Sequence, residues 1–369
     1  MEGLESLSEC VKNVHKHQKG DKEMKVVAIT GEREVEVREV KKPVLGKNQV
    51  MMKVNGCALC TWEQRMYSGV IKYITPPFVG GHEVAGEIAE IGENVDPKAY
   101  PIGKKIVANL IKKPCGKCYF CRHGMENLCK MADDIDDGYE IPGTAGLGEY
   151  IKLNLDQVYF MPDDMPTEKA VFAEPLGCVI QSVNQTTINL GDNVVVIGGG
   201  IMGQLHVMCA KARGAYVIMS EIDPERRKLA EELGCDLTFN PMEEDAVQFV
   251  KDHTDGMGAE AVFNTTAVAA VAEQAIKMTA PGGTVVMYSS VHAGKEVPLD
   301  VGYVHSKGVK ITGTKSPSVR SFTESVNCLR KGIIDPSRLV SGVFTPEQCK
   351  EAFETALRPD TFRCIIEYK

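Results

Sequence analysis

One tryptophan, Trp62, and an aromatic content of 6% are all that 369 residues provide in the way of large rings. The sequence also lacks any apolar stretch of membrane-spanning length, so no transmembrane helix is expected. Within residues 1–23, lysine, histidine and glutamate interrupt the place where a secretory leader needs an apolar core. The expectation is a cytoplasmic protein. An excess of positive charge is missing as well: 42 Lys and Arg stand against 50 Asp and Glu, for a net charge of -8. A pI near 5.6 with no basic run offers no long-range attraction to phosphate backbones or anionic lipid, which argues against nucleic-acid and membrane partners. Internal repeats and low-complexity tracts are absent too.

What is present is a hydrophobic fraction of 43%, enough to bury a full core and to divide into two domains. Thirteen cysteines, an odd number in a large chain without a leader, favour thiols and metal ligands over a disulfide framework. From Met24 to Val54 the residues alternate in KVVAIT, EVEVREV and QVMMKVN, the pattern of short antiparallel strands. Glycine and proline punctuate the chain through residue 166, and Lys130 to Gly148 reads as an acidic loop. After about residue 186 the period changes. Short apolar runs, NVVVIGG, YVIMSEI, DLTFN, EAVFNTT, GTVVMYSS and VKITGT, mostly alternate with helical stretches such as PERRKLAEELG. That alternation predicts βαβ units and a doubly wound parallel sheet, an α/β fold. Two amphipathic helices and a closing strand, FRCIIEY, are expected beyond Lys315.

Cys115, Cys118, Cys121 and Cys129 lie in PCGKCYFCRHGMENLC, a spacing that lets four thiolates wrap one ion tetrahedrally. Zinc with four sulfur ligands keeps no open position, so the expected role is structural; an iron–sulfur cluster is the alternative ligand chemistry. A second set is dispersed. Cys60 in GCALCTWE precedes His82 and Glu83 in VGGHEVAGEI by 22 residues or more, and Glu174 follows in FAEPLGC. Mixed sulfur, nitrogen and oxygen donors suit a zinc that keeps a place for water or substrate. By themselves, these four also fit ordinary core positions.

Gly198-Gly199-Gly200-Ile201-Met202-Gly203 gives G-x-G-x-x-G between an apolar strand and a helical stretch, the arrangement that cradles a dinucleotide pyrophosphate. The next strand ends at Glu221, 18 residues beyond Gly203, where a carboxylate can hold both ribose hydroxyls and repel a 2′-phosphate. NAD is therefore expected over NADP, with Arg226 and Arg227 as the reservation.

The order of cysteine, GGHEVAGEI, four-cysteine lobe, GLGEYI, AEPL and glycine fingerprint resembles the zinc-containing medium-chain dehydrogenases from about Met24 to the C-terminus. Glu83 directly after His82, with AEPL in place of a ligand cysteine, is similar to the polyol (sorbitol) and threonine dehydrogenase branch. The resemblance implies a GroES-like β-rich catalytic domain at 24–186 with the zinc lobe at about 112–132. It further implies a Rossmann domain at 187–315, a return to the catalytic domain at 316–369, and an N-terminal extension at 1–23. It implies a catalytic zinc on Cys60, His82 and one or both of Glu83 and Glu174, so two zinc ions per chain. Thr265 and Arg363 match cofactor-contacting positions, Arg226 is a further cofactor candidate by its place after Glu221, and Ile201 and Met202 lie in the fingerprint. A homo-oligomer, dimer or tetramer, is implied too.

The implied reaction is hydride transfer between NAD and a secondary alcohol or polyol, such as a sugar alcohol, cyclitol or alicyclic alcohol. Amino-alcohol oxidation as in threonine dehydrogenases is the alternative, and a zinc-free quinone or enoyl reductase or a zinc-ribbon binding protein are more distant ones. One departure stands out in Cys60-Thr61-Trp62-Glu63. Relatives carry a hydroxyl two residues after the cysteine to pass the alcohol proton outward, where this chain has Trp62. Thr61 or Glu63 is then expected to assist the proton through ordered water, with Glu63 also orienting His82 and Trp62 shaping the substrate wall.

Overall fold

The computed structural model describes residues 23–110, 114–130, 139–289 and 296–369. Most of the expected N-terminal extension therefore lies outside the described residues, as do 111–113 and 131–138 of the lobe and the acidic loop. Glu23, assigned from sequence to the extension, opens the first strand.

The chain begins with an antiparallel ribbon, β1 (Glu23–Gly31) and β2 (Glu34–Lys41), as the alternation predicts. There follow β3 (Gln49–Ala58), helix α1 (Thr61–Tyr67), β4 (Glu83–Ile91), β5 (Lys105–Ala108), α2 (Tyr119–Arg122), β6 (Tyr150–Asn154) and β7 (Val158–Phe160). Helices α3 (Thr167–Ala170) and α4 (Ala173–Val183) lead out of this β-rich half. The second half runs β8 (Asn193–Ile197), α5 (Ile201–Ala212), β9 (Tyr216–Ser220), α6 (Pro224–Glu232), β10 (Leu237–Phe239), α7 (Ala246–Asp252) and β11 (Ala259–Asn264). It continues with α8 (Ala269–Met278), β12 (Thr279–Met287), α9 (Val301–Lys307) and β13 (Lys310–Gly313). The chain ends through α10 (Val319–Arg330), β14 (Val340–Phe344), α11 (Cys349–Ala356) and β15 (Arg363–Glu367).

Two sheets organise these elements. Six parallel strands stand in the order β10-β9-β8-β11-β12-β13, the doubly wound topology whose strand order reverses between β8 and β11. Its central strands β8 and β9 are nearly continuous apolar runs because both of their faces are covered. Val194 and Val196 join the core shared with α4, α5 and α10, while Val195 and Ile197 face the core that includes Val250 of α7 and Ala275 of α8. The other sheet, in the order β14-β15-β3-β4-β5-β7 with β6 against β3, is mostly antiparallel. The last strand closes on it: Ile365 of β15 pairs Ala58 of β3, so the C-terminal segment returns to the first half. No described helix is long and apolar enough to cross a membrane.

Caps explain the helix starts. Asp223 accepts from the N–H groups of Glu225 and Arg226, with Pro224 behind it, and so begins α6.

Candidate active site

The seam between the sheets holds a cleft of about 830 Å³. Three separate elements deliver polar side chains to it. Cys60 follows β3 and is the residue at which α1 begins; His82 immediately precedes β4; Glu174 lies in the first turn of α4. A carboxylate in that turn is favoured by the helix dipole. Donor atoms of Cys60, Glu63 and His82 lie within 4.8 Å of one another, and those of His82, Glu83 and Glu174 do likewise. Buried sulfur, imidazole and carboxylate donors around an open cleft are the donor chemistry of a zinc with a vacant coordination place, so the residues fit that metal.

Behind them stands a layer that fixes their positions. The Glu63 Oε1 accepts from His82 Nδ1 at 3.0 Å and from the Gly81 N–H at 2.8 Å, which leaves Nε2 of the ring directed to the metal side. Burial alone would raise the Glu63 carboxyl, but His82 and the Gly81 N–H outweigh it and hold it below the usual range. Glu63 is fully buried, does not line the cleft, and leaves Oε2 without a partner among the described residues. Of the two residues expected to assist the departing proton, Glu63 is sealed from solvent beside His82. Thr61, in contrast, is exposed and lines the cleft.

Glu83 and Arg363 make a second buried arrangement. One edge of the Arg363 guanidinium, Nε and Nη2, donates to the two carboxylate oxygens of Glu83, at 2.8 and 2.7 Å, with the side chains 2% and 0% exposed. Burial opposes the charge on Arg363, and Glu83 more than offsets it. Arg363 was expected at the cofactor and Glu83 at the metal; here each engages the other across 280 residues of sequence, although both border the cleft. Glu174 is free of such a partner. Its Oε1 accepts from the Cys178 thiol one turn later, at 3.2 Å, and burial pushes its carboxyl up to about 7.

Trp62 stands edge-on to His82 and Phe78, with ring centroids 6.1 and 5.6 Å away, and donates its N–H to the Tyr73 hydroxyl at 3.3 Å. Arg65, Leu110 and Tyr288 also line the cleft without having been anticipated. Tyr288 follows β12 at the carboxyl end of a parallel strand, a location that itself marks ligand sites in such sheets.

The glycine turn lies on the cleft's other side, through Met202. Gly198 has φ 96°, and a Cβ at Gly203 would fall 1.8 Å from the Gly198 carbonyl, so the turn and the close start of α5 both demand glycine. The following residues Ile201 and Met202 open α5 behind Gly200, which has no side-chain cap. Glu221, at the end of β9, accepts from the Gly199 N–H at 2.5 Å and the Asp223 N–H at 2.8 Å. Arg226 reaches the Pro359 carbonyl, and Arg227 reaches the carbonyls of Glu221 and Ile222. Thr265 donates its hydroxyl to the Ile197 carbonyl at 2.8 Å, beside the turn.

Away from the cleft, the four lobe cysteines come together. Sγ–Sγ distances of 3.5 Å (Cys118 to Cys121), 3.8 Å (Cys118 to Cys129) and 3.9 Å (Cys115 to Cys121) match the roughly 3.8 Å edge of a tetrahedron with zinc–sulfur bonds of about 2.3 Å. The N–H groups of Cys118 and Cys121 point at Cys115 and Cys118 sulfurs. Backbone N–H groups of Lys117 and Cys118 hold the Cys115 thiol down to about 6, while burial and the neighbouring thiols of Cys118 and Cys129 push Cys121 up to about 12.

Comparison with known proteins bears on this arrangement. Residues 46–163 match the model of the alcohol dehydrogenase GroES-like domain, and residues 202–331 that of the zinc-binding dehydrogenase. The L-threonine 3-dehydrogenase of Thermococcus kodakarensis is 35% identical over 254 residues, covering 68% of this chain and 70% of its own. The chain belongs to the zinc-containing alcohol dehydrogenase superfamily. Within that superfamily, the sorbitol dehydrogenase of Bacillus subtilis is 27% identical over 91% of this chain and 94% of its own. A zinc-binding dehydrogenase structure from Sinorhizobium meliloti, described as bound to NADP, superposes with a TM-score of 0.85 at 25% identity, covering 94% of this chain and all of that one. As a member of the alcohol dehydrogenase superfamily the protein is an oxidoreductase that uses zinc and a nicotinamide cofactor, with a GroES-like and a Rossmann-like part.

Proposed function

We propose that the chain interconverts a secondary alcohol or polyol and its ketone with NAD, holding one zinc at Cys60, His82 and Glu174 and a second at the four lobe cysteines. The observation that carries the reading is that His82 has Cys60 within 4.8 Å in one donor group and Glu174 within 4.8 Å in the other, on a cleft that Met202 of the glycine turn also lines. Bound there, the zinc supplies Lewis acidity toward an alcohol oxygen and the nicotinamide a hydride acceptor.

The chain's own residues do the rest. Glu63 fixes the His82 ring, and Arg363 neutralises Glu83, so that Glu174 is the carboxylate left for the metal. Thr61 offers an exposed hydroxyl to pass the alcohol proton to solvent in place of the residue relatives carry two after the cysteine. Trp62 supplies a flat apolar wall against the C–H side of the substrate. The sorbitol dehydrogenase relative supports a polyol substrate. Support for NAD comes from Glu221, whose carboxylate beside Gly199 would repel a 2′-phosphate while Arg226 and Arg227 are occupied by carbonyls.

The test is a screen of polyols, cyclitols and alicyclic alcohols with each cofactor, read by absorbance of the reduced nicotinamide. Oxidation of at least one polyol with NAD preferred is expected, and Glu221→Ser should relax that preference. Wild-type protein that uses NADP at least as efficiently as NAD would contradict the cofactor assignment.

A further inference from the structure

The cleft contains a cation that the reaction set out above leaves idle. Arg65 lies in α1, three residues after Trp62 and four after Thr61, a spacing that sets all three on one side of the helix, and all three line the cleft. Its side chain is half-buried, yet among the described residues its guanidinium makes no hydrogen bond and no ion pair. The cleft's other guanidinium, on Arg363, is spent on Glu83. A guanidinium that lines an open cleft without a protein partner presents a fork of five N–H donors whose geometry fits the paired oxygens of a carboxylate or phosphate. Location decides whose anion that is. Arg65 shares its wall with Trp62 and Val70, while Met202, Ala267 and Ser289 mark the wall next to the glycine turn.

We propose that Arg65 receives an anionic group on the substrate, so that the preferred alcohol is a phosphorylated polyol or a polyhydroxy acid and not a neutral sugar alcohol. The proposal rests on the reading of the cleft as an alcohol site. Arg65 acts as a specificity-determining residue: its guanidinium orients the far end of the molecule while the reacting carbinol sits at Cys60 and His82.

The chain's single tryptophan makes binding measurable apart from turnover, since Trp62 lines the same wall. The zinc-replete protein is titrated with a pentitol, its 5-phosphate and the matching aldonate, reading Trp62 emission, and kcat and KM are measured on the same three compounds. The phosphate or the aldonate should bind about tenfold or more tightly than the neutral pentitol, the range of a hydrogen bond between charged groups, and the winner of the two identifies the anion. In Arg65→Gln the charged-over-neutral ratio of kcat/KM should fall about tenfold or more, chiefly through KM, and Arg65→Lys should recover part of it. The wild-type KM for the charged compound should also rise with ionic strength. Equal affinity for the neutral and charged compounds overturns the proposal, as does an Arg65→Gln defect confined to cofactor binding, which would assign the guanidinium to the dinucleotide. Anion-selective quenching that Arg65→Gln abolishes, without oxidation of any alcohol, would uphold Arg65 and instead refute the proposed reaction.

Discussion

The lobe and the cleft both gather cysteine with metal-ligand geometry, but they are built in opposite ways. The lobe draws all four donors from one stretch, Cys115 to Cys129, and its sulfurs already span a tetrahedron that leaves no further place. The cleft draws Cys60, His82 and Glu174 from the ends of three elements, mixes its donor types and opens onto about 830 Å³ of space. Two of these cleft donors also have a hydrogen-bond partner that holds them: Glu63 for His82 and Cys178 for Glu174. A closed site of like donors can serve only to hold the chain, whereas an open one of unlike donors must be held by the chain.

The contrast predicts opposite phenotypes. Cys60→Ser should abolish turnover with a melting temperature within a few degrees of wild type. Cys118→Ser should lower the melting temperature or soluble yield while the protein that remains folded at low temperature still turns over. Matched activity and thermal-melt assays on both variants check this, and the same phenotype from both would erase the distinction between the sites.

Arg363 sharpens the comparison, because it borders the open site yet performs a structural task. Arg363→Met strands the buried Glu83 charge and should destabilise the fold by about 3–5 kcal/mol in denaturant titration. Adding Glu83→Leu removes the stranded charge, so the double variant should regain most of that loss. Simple additivity of the two changes would mean that the pair is not coupled.

The smallest effect is expected beneath the cleft, at His206. It is buried in α5 between the Met202 carbonyl at 2.7 Å and the Ser182 hydroxyl at 2.9 Å, beside the Tyr288 ring, and burial lowers it to about 4. Because its folded value lies below its unfolded one, the unfolded chain takes the proton first as pH falls. Its contribution is therefore complete above about pH 6.5 and disappears toward pH 4, amounting to at most about 3 kcal/mol. His206→Gln should flatten the acid limb of stability against pH over that window; parallel limbs would remove His206 as a cause.

The same contrast governs what the sequence discloses. The central parallel strands β8 and β9 are readable because burial on both faces leaves nearly unbroken apolar runs, the edge strands β10 and β13 because they alternate with helical stretches, and the lobe because its ligands are neighbours in sequence. Strand β4 is concealed by Gly86, where a Cβ would strike the Lys53 carbonyl at 2.1 Å, and β14 by Gly342 and alternating exposure. The Glu83–Arg363 pair is invisible to any local pattern, being 280 residues apart and created only when β15 docks beside β3. Glu63 is legible as a partner of His82 from its place after Cys60, but its isolation from solvent depends on the packing of α1. Arg65 becomes notable only when the described residues have been placed and none of them pairs with its guanidinium.

Zinc counting by native mass spectrometry on wild type, Cys60→Ser and Cys118→Ser tests the central claim, that one chain carries an open and a closed zinc site, most directly. The account predicts two zinc ions per wild-type chain and one in each variant, with the Cys60→Ser protein folded and inactive and the Cys118→Ser protein destabilised. A wild-type chain saturated with a single zinc, or a Cys60→Ser chain that retains two, would contradict it.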